Sequence, residues 1–566
     1  MKWTVYLLFL LLPGSILFAQ DCPPASAAYD LHANAVSARI LNRGALFTDG
    51  QAGYFLPNPQ PNVQNPTTMF TAGLWIGGVD PAFNLKLSAV TYGNGGFFAG
   101  PLDPATGQPY PQACFDWDRI FHVRGAQIAA FLSQLPALAT DPNAAIAQFP
   151  EIMGWPGRNN PYFETVNGFA QPDNLTQSLA PFFDQDGDAM YNPLAGDYPV
   201  LILNGALIIP AELTWCVYHS VGPGNPPSAL NIPVEIHQTA WAFDCVQPAA
   251  LANTIFTSHK IIYRGTEPMD SVQVAVWVDS QIGNCGLLDD YLGSLPELHA
   301  FYSTSNRTDD NCMSDIPAFS GIPPVQSVTF LDRPMDRFIT FNNGSIGTQI
   351  PATTDPKTPV EFFHYLTGHW RDGQPLTAGG SGYNPGGTPA THAFPDDPAN
   401  PSGWSFCTAN LPAADRRGLG VSELGRWDPG EINQLVTAWA VHDGAGVACD
   451  LGDTQADIAA LRDLYDNAFS GVCSPLTALP IRNWEAPGVT VFPNPASQNL
   501  FIRFEQQQPL QIRLFDTNGR LISRQTEITS NPLSIPVQQL ANGLYTLECL
   551  FEQGAVRQKV LIQPGK

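Results

Sequence analysis

Val489-Thr490-Val491-Phe492, Leu500-Phe501-Ile502-Arg503-Phe504, Leu510-Gln511-Ile512-Arg513-Leu514-Phe515, Arg520-Leu521-Ile522-Ser523, Leu533-Ser534-Ile535, Gly543-Leu544-Tyr545-Thr546-Leu547-Glu548 and Arg557-Gln558-Lys559-Val560-Leu561-Ile562 divide the end of the chain into seven short runs. Within each, apolar and polar residues tend to alternate, the period of a strand with one face buried and one face wet. Asp516-Thr517-Asn518-Gly519 between the third and fourth runs is a turn signal. Seven short strands at roughly ten-residue spacing predict a small antiparallel, immunoglobulin-like β-sandwich over 489–566.

Working back from that unit, residues 474–488 form a Pro-rich linker. Before it, Asp453 to Phe469 reads as a helix, with Ile458, Leu461, Leu464, Tyr465 and Phe469 on one face and Thr454 and Asp457 at capping-box spacing. The body is less periodic. Turn signals recur at Val79-Asp80-Pro81 and around Gly93 to Gly96, and Val272 to Trp277 alternates. Val200 to Leu203 and Ala206 to Ile209, split by Asn204-Gly205, read as a hairpin, while Gly125 to Leu135 and Pro142 to Gln148 read as short helices. The expected fold is mostly β: sandwich modules at 20–245 and 246–473 with long loops and few short helices, then the C-terminal sandwich.

Three motifs give the tail a resemblance. Phe492-Pro493-Asn494-Pro495-Ala496, Leu514-Phe515-Asp516-Thr517-Asn518-Gly519-Arg520 and Leu540-Ala541-Asn542-Gly543-Leu544-Tyr545 are similar, in order and spacing, to the C-terminal sorting domain of type IX secretion cargo. The resemblance implies a self-folding sandwich read by the outer-membrane export machinery, with Pro493, Asn494, Pro495, Asn518, Gly519, Gly543 and Tyr545 as its motif residues. It further implies cleavage on release or attachment to surface polysaccharide. In the body, Phe70 to Gly78, Asp184 to Pro199 and Trp370-Arg371-Asp372-Gly373 resemble an uncharacterised class of secreted type IX passengers, which brings no activity with it.

The amino terminus agrees with export. Met1-Lys2-Trp3, the apolar run Val5 to Leu12 and Ala19 before Gln20 form a secretory signal peptide at 1–19, too short to span a bilayer. The expected destination is the medium or the outer cell surface, by way of the periplasm, with no transmembrane span. All ten cysteines follow the expected cleavage point, which permits disulfides; Cys285 with Cys312 and Cys449 with Cys473 would each close a short loop. The formal charge of −24, with six Lys and twenty Arg, repels phosphate backbones and excludes nucleic acid as a partner. It also suits a chain that holds divalent cations, or simply one kept soluble by an acidic surface.

One loop carries the clearest chemistry. Asp184, Asp186 and Asp188 alternate through Asp184-Gln185-Asp186-Gly187-Asp188, so successive carboxylates aim at one point, as the six to eight oxygen ligands of Ca²⁺ require. The Met190 carbonyl, Asn192 and Asp197 would complete the shell. Ala189 and Ala195 stand where a helix–loop–helix calcium loop has Gly and Glu, so the loop is EF-like only. A solvated acidic turn is the plainer reading. Asp279 with Asp289 and Asp290 is a second candidate cation site, alongside the reading of a solvated loop. Catalysis has thinner support. Asp184, Glu235, Asp279 and Glu361 supply carboxylates but no spacing that pairs them. His364 and His369 lack the spacing of two ligands on a helix face, and no nucleophile elbow or phosphate loop occurs. Trp75, Trp155, Trp370, Trp404 and Trp427 stand near Gly or Pro and are read either as sugar-stacking loop residues or as plugs of the sandwich ends. The expected passenger is a non-catalytic, calcium-stabilised binding or adhesive protein; a secreted hydrolase of polysaccharide or peptide and a surface-layer protein are the alternatives.

Overall fold

The computed structural model describes residues 22–566 apart from 93–95, 175–178, 204, 223–230, 246–247, 285–289, 306, 308, 313–316, 320, 345–348, 413, 445–448, 473–487, 506, 516–520, 527, 552–553 and 564–566. The signal peptide and most of the Pro-rich linker lie outside the described residues.

Two large antiparallel sheets make the body. The front sheet runs in the order Ala28–Leu31, Val36–Leu41, Ala45–Leu46, Met69–Val79, Met269–Ser280, Arg416–Trp427, Arg337–Asn342. The back sheet runs Asp290–Leu295, Ala300–Ser305, Val325–Phe330, Ile432–His442, Thr254–Tyr263, Val234–Ala242, Glu212–His219, Phe98–Ala99. Val36, Leu74, Ile236, Val274, Phe301 and Leu435 belong to one apolar core. This topology corrects the expected division at residue 245. Val234–Ala242 pairs with Thr254–Tyr263, and Met69–Val79 pairs with Met269–Ser280. Strands from both expected modules therefore share both sheets, and a cut at 245 would separate neighbours in a ladder.

A third layer covers the back sheet. Helices Gly125–Leu138 and Pro142–Gln148, the hairpin Leu201–Leu203 with Ala206–Ile208 and helix Thr454–Asp466 form around a second apolar core, shared with Trp215, Trp241 and Phe256 of the sheet. Strands Glu212–His219 and Val234–Ala242 are in consequence buried along both faces. The last helix forms where its apolar face predicts, with Ile458, Leu461 and Tyr465 buried. Its capping box does not form: Asp457 meets His442 Nδ1 at 3.0 Å instead, and Thr454 donates to the Leu451 carbonyl at 2.6 Å.

Cys22 bonds to Cys114 and Cys407 to Cys449. The second bond corrects the expected Cys449–Cys473 pairing: the Cα atoms of Cys407 and Cys449 stand 6.0 Å apart, within disulfide range, although 42 residues separate them in sequence. Cys312 is also disulfide-bonded, and Cys285 lies outside the described residues. Cys216 and Cys549 are buried free thiols.

The described residues of the tail form seven strands in two sheets. Val489–Phe492, Asn499–Phe504 and Leu533–Pro536 make one; Leu521–Gln525, Gln511–Phe515, Gly543–Phe551 and Gly554–Ile562 make the other. Leu500, Ile502, Ile512, Leu514, Leu547 and Val560 fill a core of its own, separate from those of the body.

Candidate functional site

The acidic loop lies on the surface between the short strands Phe182–Phe183 and Tyr198–Pro199, which pair and pin its two ends. Each aspartate folds the loop around itself. Asp184 accepts from Gly187 N at 2.7 Å and Ala189 N at 2.8 Å, and Asp188 accepts from Met190 N at 2.7 Å. Gly187 takes a φ of 79°, which glycine adopts without strain. Asp184, Asp186 and Asp188 each bring a carboxylate oxygen within 4.8 Å of the others. Asp197 stands outside that trio. It is buried, and its oxygens accept from Gln185 N at 2.8 Å and Asn192 N at 2.7 Å, clamping the loop's base. Burial pushes its carboxyl up to about 6, against the pull of those two N–H groups. Asn192 Oδ1 is buried without a hydrogen-bond partner, and the Met190 side chain is exposed.

At the second candidate cation site the counter-charge is an arginine. Arg417 is buried, with Nη1 3.3 Å from Asp279 Oδ1, Nε 3.4 Å from Asp355 Oδ1 and a further bond to Asp415; its Nε donates to Tyr92 Oη at 3.1 Å. Burial opposes the guanidinium charge, but Asp279, Tyr92, Asp415 and Asp355 outweigh it and raise its pKa. Asp279 is pushed up to about 7 by burial, with Arg417 pulling the other way. Asp290 accepts from Ile282 N at 3.2 Å, and Asp289 lies outside the described residues. Among the described residues, Asp279 and Asp290 belong to no trio of converging ligand atoms.

The other carboxylates named from sequence are held apart. Glu361 caps its own helix, accepting from Thr358 N at 3.2 Å, and pairs with Arg371 at 3.1 Å. Glu235 is buried: its Oε1 meets Arg264 Nη2 at 3.0 Å and His237 Nε2 at 2.8 Å, and its Oε2 accepts from Leu102 N at 2.7 Å. Burial would raise its pKa, but Arg264, His237 and the Leu102 N–H bring it down to about 2. His237 was not singled out in the sequence; its place two residues after Glu235 on a strand, hence on the same face, was the available signal. It lines a cavity of about 670 Å³ on the outer face of the back sheet, with Lys260, Asp332 and Arg333 of the body and Arg513 and Glu548 of the tail. His364 and His369 turn to the Arg371 carbonyl and the Thr367 hydroxyl, at 3.0 and 3.1 Å.

Four of the five marked tryptophans belong to the two apolar cores of the body. Trp75, Trp155, Trp370 and Trp427 are fully buried, and the indoles of the first three donate to the carbonyls of Val90, Pro181 and Gly382. Trp404 is half-buried and donates to the Gly380 carbonyl at 3.0 Å.

In the tail, the Pro493-Asn494-Pro495 motif fastens the first strand to the last. Asn494 Oδ1 accepts from Leu561 N at 2.8 Å, and its Nδ2 donates to the Lys559 carbonyl at 3.1 Å. Tyr545 Oη donates to the Ala541 carbonyl at 2.9 Å, closing the turn into the strand that Gly543 begins, in the manner of a sandwich's tyrosine corner. Asn518 and Gly519 lie outside the described residues. Residues 490–563 match the family described as the secretion system C-terminal sorting domain. The tail is a type IX sorting domain. The chain is therefore type IX cargo, exported to the cell surface or the medium, and the export machinery is the partner of its sorting domain. No helix among the described residues is long and apolar enough to cross a membrane.

No curated protein matches the chain. Among solved structures it is similar to a polysaccharide lyase (10% identity, TM-score 0.18, 58% of this chain and 34% of that one) and to a mutant of heparan sulfate lyase HepC from Pedobacter heparinus (9%, 0.17, 57% and 26%). Dimeric latent PorU from Porphyromonas gingivalis is a third (11%, 0.11, 58% and 26%). The chain spans about a quarter to a third of those structures' lengths, and likeness this slight fixes neither fold nor activity.

Proposed function

We propose that the exported passenger is a non-catalytic binding or adhesive protein whose surface loop is ordered by Ca²⁺. The observation that supports this is the convergence of Asp184, Asp186 and Asp188 within 4.8 Å on a loop pinned at both ends. Each carboxylate keeps lone pairs beyond those given to backbone N–H groups, and the Met190 carbonyl and Asn192 Oδ1 are the neighbouring neutral oxygens. Three anions this close repel one another, and a divalent cation turns that repulsion into a crosslink. At ten times its dissociation constant, the ion would stabilise the folded loop by about 1.4 kcal/mol. The separate engagement of Glu235, Asp279 and Glu361 supports the non-catalytic part of the reading. Calorimetric titration of the chelated chain is expected to show one Ca²⁺ bound, with affinity at least about tenfold weaker after Asp186→Ala, which removes one charged ligand. Absence of binding by the wild type at millimolar Ca²⁺, or equal binding by the variant, would overturn the reading.

A secreted hydrolase is the second reading, favoured by the Glu235–His237 contact. A carboxylate that orients a histidine on a cavity wall is half of an acid–base apparatus, and His237 Nδ1 has no hydrogen-bond partner. On this reading the chain, with its linker cut, releases new reducing ends or amino termini from a panel of polysaccharides and proteins, and His237→Ala abolishes the release. No release by the wild type ends the reading.

A further inference from the structure

We propose that the sorting domain doubles as a docked cap on the passenger, walling off part of the polar cavity on the outer face of the back sheet until it is displaced. Residues 473–487, which join the two, can reach roughly 50 Å when extended, so tethering alone does not impose this contact. Specific groups hold it instead. The turn between the strands Arg416–Trp427 and Ile432–His442 presents Glu431, whose side chain is wholly buried beneath the tail. Arg524 Nη1 of the tail lies 2.6 Å from Glu431 Oε2 and donates to the Arg426 carbonyl at 3.2 Å, while Gln511 Nε2 reaches Glu431 Oε2 at 3.4 Å. Arg524 is itself only 10% exposed.

Charge favours the same docking. Residues 489–566 carry seven Lys and Arg against five Asp and Glu, leaving 19 against 45 in the rest of the chain. A mildly basic cap thus sits on a strongly acidic body, the complementarity that steers and orients an interface. Across the cavity, Arg513 and Arg557 are joined through Glu548, opposite Asp332 and Arg333 of the body. The cavity has walls from both partners, so removing the tail takes away one of them. Whatever polar ligand the passenger accepts there gains access when the tail is cut or pulled off during export.

Reductive methylation of lysines in the full chain, read by peptide mass spectrometry, tests the cap. Lys260 lines the cavity, and exposed Lys357 serves as the internal reference. Arg524→Glu sets two carboxylates against each other at the buried contact. It is expected to speed methylation of Lys260 relative to Lys357 about tenfold, the factor a 1.4 kcal/mol shift in docking gives, and to enlarge the radius of gyration seen by X-ray scattering. The double variant Glu431→Arg/Arg524→Glu restores the pair with its charges exchanged and is expected to return both readouts to wild type, which a misfolded variant would not do. Equal Lys260 rates in wild type and Arg524→Glu, or a double variant that stays as reactive as the single one, would overturn the proposal.

Discussion

Arg417→Met is expected to destabilise the body by about 3–5 kcal/mol at pH 8, the cost of removing one partner from a buried ion cluster. The guanidinium is the charge that answers Asp279, Asp355 and Asp415 together, and both Arg417 and Asp279 are buried. Methionine fills much of the volume and carries no charge, so the loss is electrostatic rather than a cavity. The pH dependence separates this from a packing defect. Asp279 already has its carboxyl pushed up to about 7 by burial, against about 4 in an unfolded chain. A carboxyl whose folded pKa lies above its unfolded one favours the native state most below the unfolded value, and that contribution is lost as pH rises through the folded value. Without Arg417, burial acts less opposed and the folded pKa climbs further. The deficit of the variant is therefore expected to shrink from pH 8 towards pH 5. Urea unfolding of wild type and variant at both values checks it; a deficit unchanged with pH would show that the arginine acts through packing alone.

The tail was legible in the sequence because its sheets have one wet face. Asn499–Phe504 is buried at Leu500, Ile502 and Phe504 and wet at Arg503, so its alternation survives in the residue order. The large sheets of the body were not, and the reason is the third layer. Glu212–His219 and Val234–Ala242 are covered on both sides and carry no alternation to read. Polar residues within them, such as Glu235 and His237, are buried in contact with one another, a pairing that a one-dimensional pattern does not display. The shared sheets were hidden for another reason: Met69–Val79 and Met269–Ser280 lie some 200 residues apart in the chain, and nothing local in either announces the other. Asp184, Asp186 and Asp188 were legible because their convergence is a short-range property of one loop. The contact of Asp279 with Arg417 was not legible because the two are distant in sequence, while Asp289 and Asp290 are near.

Type IX export by a self-folding tail is the claim on which the rest stands. The tail has its own apolar core and meets the body through polar contacts around Glu431, so its loss should spare the fold of the passenger while removing what the export machinery reads. In a bacterium with type IX machinery, a chain ending at Cys473 is therefore expected to accumulate in the periplasm in folded form, with none in the medium or on the surface, while the full chain reaches the outside. Appearance of the shortened chain outside the cell in amounts like those of the full chain would contradict the account.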